Sequence, residues 1–563
     1  MKNLGKINAA WAAALVEGLA AAGVEHAVIS PGARSTSLTL ACMRHAAITC
    51  HIVVDERSAA FFALGIAKAE GKPVAVICTS GSAVANWHPA VVEADMARAP
   101  LVLLSADRPP ELQDCGAHQS IDQTRLFGPS LRAYHFLPPA EEDHSWLANF
   151  TARCVQQSLF PLAGPVQLNC AFREPLLAPP GDEPPLVTDS RKPRVVLPRQ
   201  VPPAYEMRAL AQRLSGRKGV IVCGCEAVPP EPIVRLAQAL NVPILADPLS
   251  GLRFGPHDQS RVVVHYDVFL RGKGPQPDWV MRFGGYPMSK PYTKWLGEFP
   301  EAERIVVSGD SRWPDPDRAA DLMIHGDVDL VADAIARDVT RPMSGEWVDS
   351  FRALDRAAAA LIARHAPPEA GLGRAMIESL PDGALFFIGN SMSVRDFDAF
   401  SGTSKKSITM LANRGVAGID GLSSTFLGAA ASGRYTAAAA LIGDMSFLHD
   451  VGGLACAGKL NAVIAVADNG GGIIFRHQPS STLPKHEFDA AWYTEQHADM
   501  QAAAGVYGHG HVTVDTDGFA PMFGQTLAQP GTQVVQVQID PEESVARHKA
   551  LWTEAAKLGT VSV

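Results

Sequence analysis

The chain has 563 residues and a formal net charge of −9 at pH 7, and 47% of its residues are hydrophobic. That length exceeds what one hydrophobic core supports and indicates three or four domains. The acidic balance and the lack of a basic block argue against a nucleic-acid partner. No apolar run reaches the roughly 18 residues of a membrane span, and the nine scattered cysteines form no CxxC pair, so we expect a cytoplasmic protein.

Short apolar runs alternate with helical patterns from the N-terminus onward. The first series of strand-like runs is HAVIS at 26–30, HIVVDE at 51–56, VAVICTS at 74–80, LVLLSAD at 101–107 and PVQLNC at 165–170. Helical patterns lie between them, at 58–70 and 83–97. This alternation is the βαβ signature of a doubly wound parallel sheet.

A proline-rich interval at 175–203 predicts a linker, and two further α/β series follow it. The second series contains GVIVCG, VPILAD, WVMRFGG and RIVVSGD, and the third contains LFFIGNS, ITMLANRG, AAALIGD, AVIAVADNGGG and QVVQVQID. The predicted fold class is therefore α/β, with three doubly wound parallel-sheet domains at 1–180, 181–345 and 346–563. The first and third domains have similar layouts.

Polar residues and glycines cluster where these strands end. The clusters are SPGARS at 30–35, DER at 55–57, TSG at 79–81, GNS at 389–391, GD at 443–444 and DNG at 468–470. Each cluster alone is equally well explained as turn or N-cap chemistry. Together they predict a shared ligand site, because ligands of such sheets bind beyond the carboxyl ends of the strands.

Asp444 and Asn469 are the candidates for binding a metal ion. Asp444 follows a strand and a glycine, and one helix, roughly Leu448–Ala457, with one further strand would bring Asn469 to the neighbouring strand end. A carboxylate, an amide and a nearby carbonyl suit Mg²⁺, which prefers oxygen ligands. The glycines at 470–472 allow the backbone to approach a diphosphate at a helix N-terminus.

A GD step, a spacing in the mid-twenties and an asparagine-bearing turn resemble the thiamine diphosphate motif of the transketolase/pyruvate decarboxylase superfamily. The resemblance implies bound thiamine diphosphate, with Asp444, Asn469 and the carbonyl of Gly471 holding Mg²⁺, or Mn²⁺ in its place. The superfamily motif usually ends in two asparagines, whereas this chain has Asp468 before Asn469. Two Asx-type turns without a metal remain the alternative.

Thiamine chemistry also needs a carboxylic acid that hydrogen-bonds N1′ of the aminopyrimidine ring and favours its imino tautomer. Glu56 is the candidate, because it follows the run Ile52-Val53-Val54 and precedes a helix that we expect to begin near Ser58. The alternative is an acid that stabilises the helix N-terminus through the macrodipole.

The resemblance also implies which ligand each domain binds. The domain at 1–180 would bind the pyrimidine, the domain at 346–563 would bind the diphosphate and the metal, and 181–345 would be a central domain. In this superfamily the first and last of these meet across a subunit interface. We therefore expect a homodimer or homotetramer, in which Glu56 serves the cofactor of the neighbouring chain.

Longer motifs narrow the resemblance from the superfamily to one group of synthases. They are SPGARSTSLTLA, DERSAAFFALGIAK, TSGSAVANWHPAVVEA, SADRPPELQDCGAHQSI, GNSMSVRDFDAF, NRGVAGIDGLSST and DNGGGIIF. In this order they resemble the menaquinone-pathway synthases that make 2-succinyl-5-enolpyruvyl-6-hydroxy-3-cyclohexene-1-carboxylate (SEPHCHC). This implies decarboxylation of 2-oxoglutarate, 1,4-addition of the succinyl-semialdehyde carbanion to isochorismate, and release of CO₂.

The same resemblance assigns residues to ligands. The implied substrate residues are Arg34, Ser35, Gln119, Lys290, Arg395, Arg414, Ile474 and Phe475. The implied cofactor residues are Ser391, Met392, Ile419, Gly443, Ser446 and Gly470. Arginine suits these substrates because its planar fork binds carboxylates in bidentate fashion, although each arginine singly is typical of a surface or a helix N-terminal turn.

One departure concerns the central domain. The family tends to carry a Lys-Arg pair, whereas Pro291 follows Lys290 here, so one carboxylate contact is lost or is supplied by Lys294.

Two other functions stay open. The chain could be another thiamine diphosphate-dependent 2-oxoacid decarboxylase or carboligase, or a non-catalytic protein that kept the fold. A Rossmann dehydrogenase is disfavoured, because no GxGxxG follows a strand and opens a helix.

Overall fold

A computed structural model describes residues 3–181 and 195–559. Residues 182–194 of the predicted linker at 175–203 lie outside this range. The chain forms two compact units, which we describe separately. Unit 1 contains the chain up to Leu197, with Asn413–Arg434 and Ser446–Leu460, and unit 2 contains Pro198–Ala412, Tyr435–Met445 and the chain from Asn461 onward.

The described residues form 18 strands and 20 α-helices. The strands are β1 (His26–Ile29), β2 (Thr49–Ile52), β3 (Val74–Cys78), β4 (Leu101–Asp107), β5 (Ala133–Leu137), β6 (Val166–Ala171), β7 (Gly219–Cys223), β8 (Ile244–Ala246), β9 (Val262–Val263), β10 (Trp279–Phe283), β11 (Glu303–Ser308), β12 (Leu322–His325), β13 (Leu385–Ile388), β14 (Thr409–Leu411), β15 (Ala438–Gly443), β16 (Ala462–Asp468), β17 (Gly510–Asp515) and β18 (Thr532–Gln538).

The helices follow the same chain order. They are α1 (Leu4–Ala21), α2 (Thr36–Arg44), α3 (Glu56–Glu70), α4 (Ser82–Ala85), α5 (His88–Ala97), α6 (Leu147–Gln157), α7 (Ala204–Leu214), α8 (Pro230–Leu240), α9 (Tyr266–Phe269), α10 (Lys290–Gly297), α11 (Val328–Arg337), α12 (Gly345–His365), α13 (Leu372–Ser379), α14 (Met392–Phe400), α15 (Leu422–Ala431), α16 (Asp444–His449), α17 (Lys485–Phe488), α18 (Met500–Val506), α19 (Phe519–Leu527) and α20 (Pro541–Ala555).

The strands form three six-stranded sheets in which all pairs are parallel. Their orders are β2-β1-β3-β4-β6-β5, β12-β11-β10-β7-β8-β9 and β14-β13-β15-β16-β18-β17. The first and third sheets thus share one topology, and the second has another. This confirms the predicted α/β class with three doubly wound parallel sheets. Each sheet falls within one predicted domain, whereas the exact boundaries between the domains stay a prediction.

The sequence predicted every interior strand and two of the six edge strands, β2 and β14. Every residue of β3, β4 and β10 is buried, as expected for parallel strands covered on both faces. Four strands were not predicted: β5, β9, β12 and β17. All four lie at the edge of a sheet and are partly exposed, and their apolar runs are short or interrupted, as in β9, which has only two residues.

Three helix predictions differ from the structure. Helix α3 begins at Glu56, before Ser58, because the Asp55 side chain accepts a hydrogen bond from the Ser58 N–H at 3.1 Å and caps the helix. The helix expected at 83–97 is divided into α4 and α5, and Pro89, which cannot continue the hydrogen-bond ladder, lies in the first turn of α5. The helix expected at Leu448–Ala457 is the end of α16 followed by a short 3₁₀ helix.

Unit 1 contains a close contact between α3 and α15. A Cβ atom on Gly65 would lie 1.9 Å from the Thr425 carbonyl oxygen, and one on Gly428 would lie 1.9 Å from the Phe62 carbonyl oxygen. The two backbones therefore touch at positions where only glycine fits. This packing places the start of α3, with Glu56, on a rigid support.

In unit 2, a buried ion pair anchors α14. The guanidinium of Arg253 pairs with Asp398 and also donates to the carbonyls of Ala246 and Asp398 at 2.7 Å. Both side chains are almost fully buried, so every polar atom of the pair needs these partners. The pair fixes the helix whose first turn carries Met392 and Arg395. Among the described residues, no helix is both long and apolar enough to cross a bilayer.

Candidate active site

The strand order of the third sheet reverses between β13 and β15, and this is where ligands bind in doubly wound sheets. Gly443 at the end of β15 pairs with Ala467 of β16, so Asp444 and Asn469 follow the ends of two adjacent strands. The side-chain atoms Asp444 Oδ2 and Asn469 Oδ1 are both buried and accept no hydrogen bond from any described residue. Two orphaned oxygens of this kind at adjacent strand ends fit a hard divalent cation.

The electrostatics of Asp444 support that fit. Its side chain is only 2% exposed, and the Met445 N–H donates to Oδ1 at 2.7 Å. Burial first, and then the nearby Asp468 carboxylate, raise the pKa of Asp444 to about 7. A neighbouring cation stabilises the ionised form of a buried carboxylate whose pKa is raised in this way.

The turn after β16 is held by its own backbone and by Tyr493. Gly470 and Gly471 have φ values of 75° and 153°, and a Cβ atom on Gly471 would lie 2.4 Å from the Tyr493 carbonyl oxygen. The Tyr493 hydroxyl donates to the Asn469 carbonyl at 2.7 Å. The Gly471 carbonyl accepts from the Ile473 N–H at 2.9 Å. The turn therefore requires glycine and is held by contacts within the chain itself.

Asp468, which departs from the motif, has a role in this turn. Its Oδ1 accepts from the Gly470 N–H at 3.2 Å, and its Oδ2 accepts from the Gln536 side chain at 2.7 Å. Both oxygens are thus occupied by the turn and by β18, whereas Asp444 Oδ2 and Asn469 Oδ1 accept no hydrogen bond within the part of the chain that the structure describes.

Two cavities adjoin the N-terminal half of α14. A small one of about 30 Å³ is lined by Met392 and Asn469, among others. A larger one of about 430 Å³ is lined by Lys290, Met392, Arg395 and Ile474 together with residues of α9 and α20. Met392 therefore lies in the wall of both.

The large cavity brings together predicted residues from three separate parts of the chain. Phe475 is not among its lining residues, and its ring lies against Gly472 instead. Lys294, the alternative source of charge on α10, is exposed and is not among the residues that line the large cavity. Pro291 is one of the lining residues. The guanidinium of Arg395 donates to the Ser391 carbonyl, and Ser391 itself has a φ of 65° at the N-cap of α14.

Glu56 lies in unit 1 as the first residue of α3 and is half-buried. The Asn86 side chain donates to its Oε2 at 3.4 Å. The next residue, Arg57, pairs with the buried Asp450 at 3.6 Å, and Asp450 in turn accepts from the Ser424 N–H at 2.7 Å. These contacts hold the first turn of α3 and leave one Glu56 oxygen for another partner.

Arg34, Ser35 and Gln119 also lie in unit 1. Arg34 is 2% exposed and donates to the Phe172 carbonyl at 2.8 Å and to Glu174 at 3.0 Å. The Ser35 hydroxyl donates to the Gly32 carbonyl at 3.1 Å. Gln119, with a φ of 54°, packs on Gly81 at the end of β3. The guanidinium of Arg34 is thus already engaged by its own unit.

Arg414 and Ile419 belong to the loop before α15, and Glu93 anchors this loop. The Glu93 carboxylate is buried and accepts from the backbone N–H groups of Gly415 at 2.9 Å and Val416 at 2.7 Å. It also pairs with Lys68 at 3.3 Å. Ser446 is buried in α16, two residues after Asp444.

Sequence reasoning missed the residues that support the site. They include Asn86, Glu93, Tyr493, Arg271, His477, His548, Lys549 and Trp552. Three of them had a sequence signal, because Asn86 and Glu93 lie within the motif at 79–94 and His477 lies two residues after the motif that ends at Phe475. The others lie in helices or turns whose patterns are ordinary.

Comparison with known proteins identifies the family. The family model "Thiamine pyrophosphate enzyme, N-terminal TPP binding domain" matches residues 10–126. A SEPHCHC synthase of Dechloromonas aromatica is 41% identical over 553 residues, covering 96% of this chain and 100% of the relative. The chain belongs to the SEPHCHC synthase family.

Other relatives agree with this assignment. A SEPHCHC synthase of Geobacillus kaustophilus is 40% identical, covering 97% of this chain and 98% of the relative. The crystal structure of benzoylformate decarboxylase from Polynucleobacter necessarius has a TM-score of 0.70 and 16% identity, covering 96% of this chain and 99% of that one, and so shares the fold. As a member of the SEPHCHC synthase family, the chain is a thiamine diphosphate-dependent enzyme that forms carbon–carbon bonds.

Proposed function

We propose that the chain catalyses decarboxylation of 2-oxoglutarate and addition of the remaining four-carbon unit to isochorismate, giving SEPHCHC and CO₂ in menaquinone biosynthesis. The observation that carries the proposal is the pair of buried, unpartnered oxygens on Asp444 and Asn469, found in a chain 41% identical to a SEPHCHC synthase. Two strand ends with this donor set suit the metal and diphosphate on which such a reaction depends.

Asp444, Asn469 and the Gly471 carbonyl would hold Mg²⁺, with Mn²⁺ as a possible substitute. The charge of Asp444 compensates the cation, and the amide of Asn469 adds a neutral oxygen. Gly443 and Gly470 let the backbone approach the diphosphate, because neither carries a side chain in its path. The remaining cofactor contacts are assigned to Ser391, Met392, Ile419 and Ser446.

Thiamine diphosphate supplies the nucleophilic carbon and the electron sink that loss of CO₂ from a 2-oxoacid requires. Glu56 would hold a proton near N1′ of the aminopyrimidine and so set the tautomer of that ring. Asn86, which donates to one Glu56 oxygen, would fix the orientation of the carboxyl group.

The substrates carry several carboxylates, and the proposed substrate residues are correspondingly cationic or hydrogen-bonding. Lys290 and Arg395 line the 430 Å³ cavity, with Ile474 as an apolar wall for a ring. Arg34, Ser35, Gln119 and Arg414 are assigned to the same ligands, and Phe475 to the ring. For Arg34 this role would require a carboxylate that shares the guanidinium with Glu174.

We propose further that the protein works as a homodimer or homotetramer in the cytoplasm, without a nucleic-acid partner. Val54, two residues before Glu56, is 79% exposed, and Val416 beside Arg414 is 50% exposed. Apolar side chains next to assigned catalytic and substrate residues are typical of a surface that another subunit covers.

The decisive experiment follows CO₂ release from 2-oxoglutarate by the purified chain, with and without isochorismate. The expected result is turnover that requires thiamine diphosphate and Mg²⁺ and yields SEPHCHC, identified by mass, only when isochorismate is present. Equal CO₂ release in both cases without an adduct would assign the chain to another group of thiamine-dependent 2-oxoacid decarboxylases.

A further inference from the structure

The 430 Å³ cavity has a wall that none of the assigned substrate residues occupies. This wall is formed by α20, which carries Lys549 and Trp552, and by Arg271 and His477. Five lysine or arginine side chains and three aspartates line the cavity as a whole. Its chemistry therefore depends on which of these charges are already compensated.

The three aspartates each have a basic partner. Asp267 pairs with Arg271 at 2.8 Å, Asp398 pairs with the buried Arg253, and Asp396 pairs with His548 at 3.0 Å. None of the three carboxylates is left to neutralise the lysines of the cavity.

The two lysines remain uncompensated. Arg476 is paired with Glu542, whereas neither Lys290 nor Lys549 forms an ion pair with any residue in the described part of the chain. Both ammonium groups are carried by exposed residues at the cavity, where an anionic ligand can reach them. The cavity therefore has an excess of positive charge that a ligand would balance.

His477 contributes a buried ring nitrogen to this wall of the cavity. Its ring lies 5.1 Å from that of His548, and its Nε2 is buried without a hydrogen-bond partner among the described residues. Burial first, and then His548, Lys549 and Arg271, lower the pKa of His477 to about 4, so its imidazole is neutral at pH 7. A neutral imidazole carries one N–H, and with the proton on Nε2 it would be a hydrogen-bond donor in a region of positive potential.

The aromatic part of the wall is already packed. The guanidinium of Arg271 stacks on the Trp552 ring at 3.6 Å from its centroid, and the Phe400 ring stacks on the same indole at 6.1 Å. An unsaturated ring bearing a carboxylate would therefore be recognised here through the carboxylate, near Lys549 and His477, with Ile474 as the apolar side of the cavity.

We propose that Lys549 and His477 form a carboxylate subsite for the cyclic acceptor, isochorismate, and so determine acceptor specificity. Lys549 supplies the charge, and His477 donates a hydrogen bond from Nε2. The subsite rests on the proposed function for the identity of the ligand. It deepens that function, because the cavity has one ammonium group from Lys290 on α10 and a second one from Lys549 on α20. On α10 the residue after Lys290 is the uncharged Pro291, so α10 supplies no second charge there.

The test compares Lys549→Met and His477→Leu with two conservative variants, Lys549→Arg and His477→Gln. Arg547→Met is the matched control, since Arg547 lies on the same helix and, among residues 3–181 and 195–559, forms an ion pair only with the exposed Glu543. For Lys549→Met we expect KM for isochorismate to rise roughly tenfold, the order of one charge-assisted hydrogen bond in a partly exposed site. KM for 2-oxoglutarate and CO₂ release without isochorismate should stay at the wild-type values.

His477→Leu should raise the same KM several-fold, and the conservative variants should recover most of the loss. A Lys549→Met enzyme with the wild-type KM for isochorismate would overturn the subsite. So would an equal rise in Arg547→Met, or a rise in KM for 2-oxoglutarate alone.

Calorimetric titration of isochorismate separates this inference from the proposed function. If the wild-type protein binds isochorismate and Lys549→Met weakens that binding roughly tenfold, the subsite holds even when 2-oxoglutarate is not decarboxylated. If the wild type decarboxylates 2-oxoglutarate and both proteins bind isochorismate equally, the proposed function holds and the subsite is wrong. If the wild type does not bind isochorismate at all, the subsite is also wrong.

Discussion

Asp444 and Asn469 stand at the ends of adjacent parallel strands, and each buries one side-chain oxygen that accepts no hydrogen bond from the described residues. A buried acceptor without a partner costs roughly 1–3 kcal/mol. A cation bound by both oxygens would remove both penalties at once.

Asp444→Asn should abolish metal-supported activity, because the charge that compensates the cation is gone. We expect at least a 100-fold loss of kcat/KM for 2-oxoglutarate. Thermal unfolding gives an independent readout: Mg²⁺ with thiamine diphosphate should raise the Tm of the wild type and leave the Tm of the variant unchanged. Asp468→Asn is the matched control, since that carboxylate already bonds within its turn, and a loss as large as that of Asp444→Asn would contradict the assignment.

Glu56→Gln removes the proton that we assign to the aminopyrimidine while preserving the size of the side chain. We expect kcat to fall by about 10²–10⁴, the usual worth of a positioned acid–base group. Binding of thiamine diphosphate, measured by calorimetry, should change little. Glu25→Gln, which breaks only an exposed pair with Lys72, is the control, and a Glu56→Gln enzyme of wild-type rate would refute the assigned role.

Gly65→Ala should destabilise unit 1, because the added Cβ would lie 1.9 Å from the Thr425 carbonyl oxygen. We expect a loss of about 3 kcal/mol, the upper part of the range for overpacked sites, since a backbone atom cannot rotate out of the way. Gly505→Ala in α18 is the control, because its Cβ meets nothing within 4 Å. Differential scanning calorimetry should show a lower Tm for the first variant, with the second equal to or above the wild type.

His51 should make the protein sensitive to acid. Burial first, and then His26, lower the pKa of His51 to about 4 from its usual 6.5. Between these two values the unfolded chain binds a proton that the folded chain does not, so the folded protein loses up to about 3 kcal/mol as the pH falls through this window.

Replacing this histidine tests that dependence. In His51→Gln the Tm should fall less between pH 6.5 and pH 4 than it does in the wild type. His144→Gln, at an exposed turn, should follow the wild-type curve. Superimposable curves for His51→Gln and the wild type would show that His51 does not carry the dependence.

The sequence predicted the interior of each sheet, because buried parallel strands such as β3 and β16 are nearly continuous apolar runs. It also predicted that Asp444 and Asn469 follow the ends of neighbouring strands, since the carboxyl ends of parallel strands meet at one edge. Edge strands such as β5 and β17 gave no comparable signal, because their exposed residues need not be apolar.

The supporting contacts of the site were beyond such reasoning. The pairing of Arg34 with Glu174 and the anchoring of Gly415 by Glu93 join residues that are more than 100 positions apart in the chain. Local patterns carry no information about which distant residues become neighbours. For the same reason Lys294 was a plausible source of charge on α10, whereas the structure places Lys549, from the far end of the chain, at the cavity.

The position of α14 has a consequence for changing the enzyme. Met392 and Asp396 of this helix line both the small cavity beside Asn469 and the large cavity. Redesign of α14 for a new acceptor would therefore disturb the surroundings of Asn469 at the same time. Engineering of acceptor preference is better begun on α20, which borders the large cavity alone.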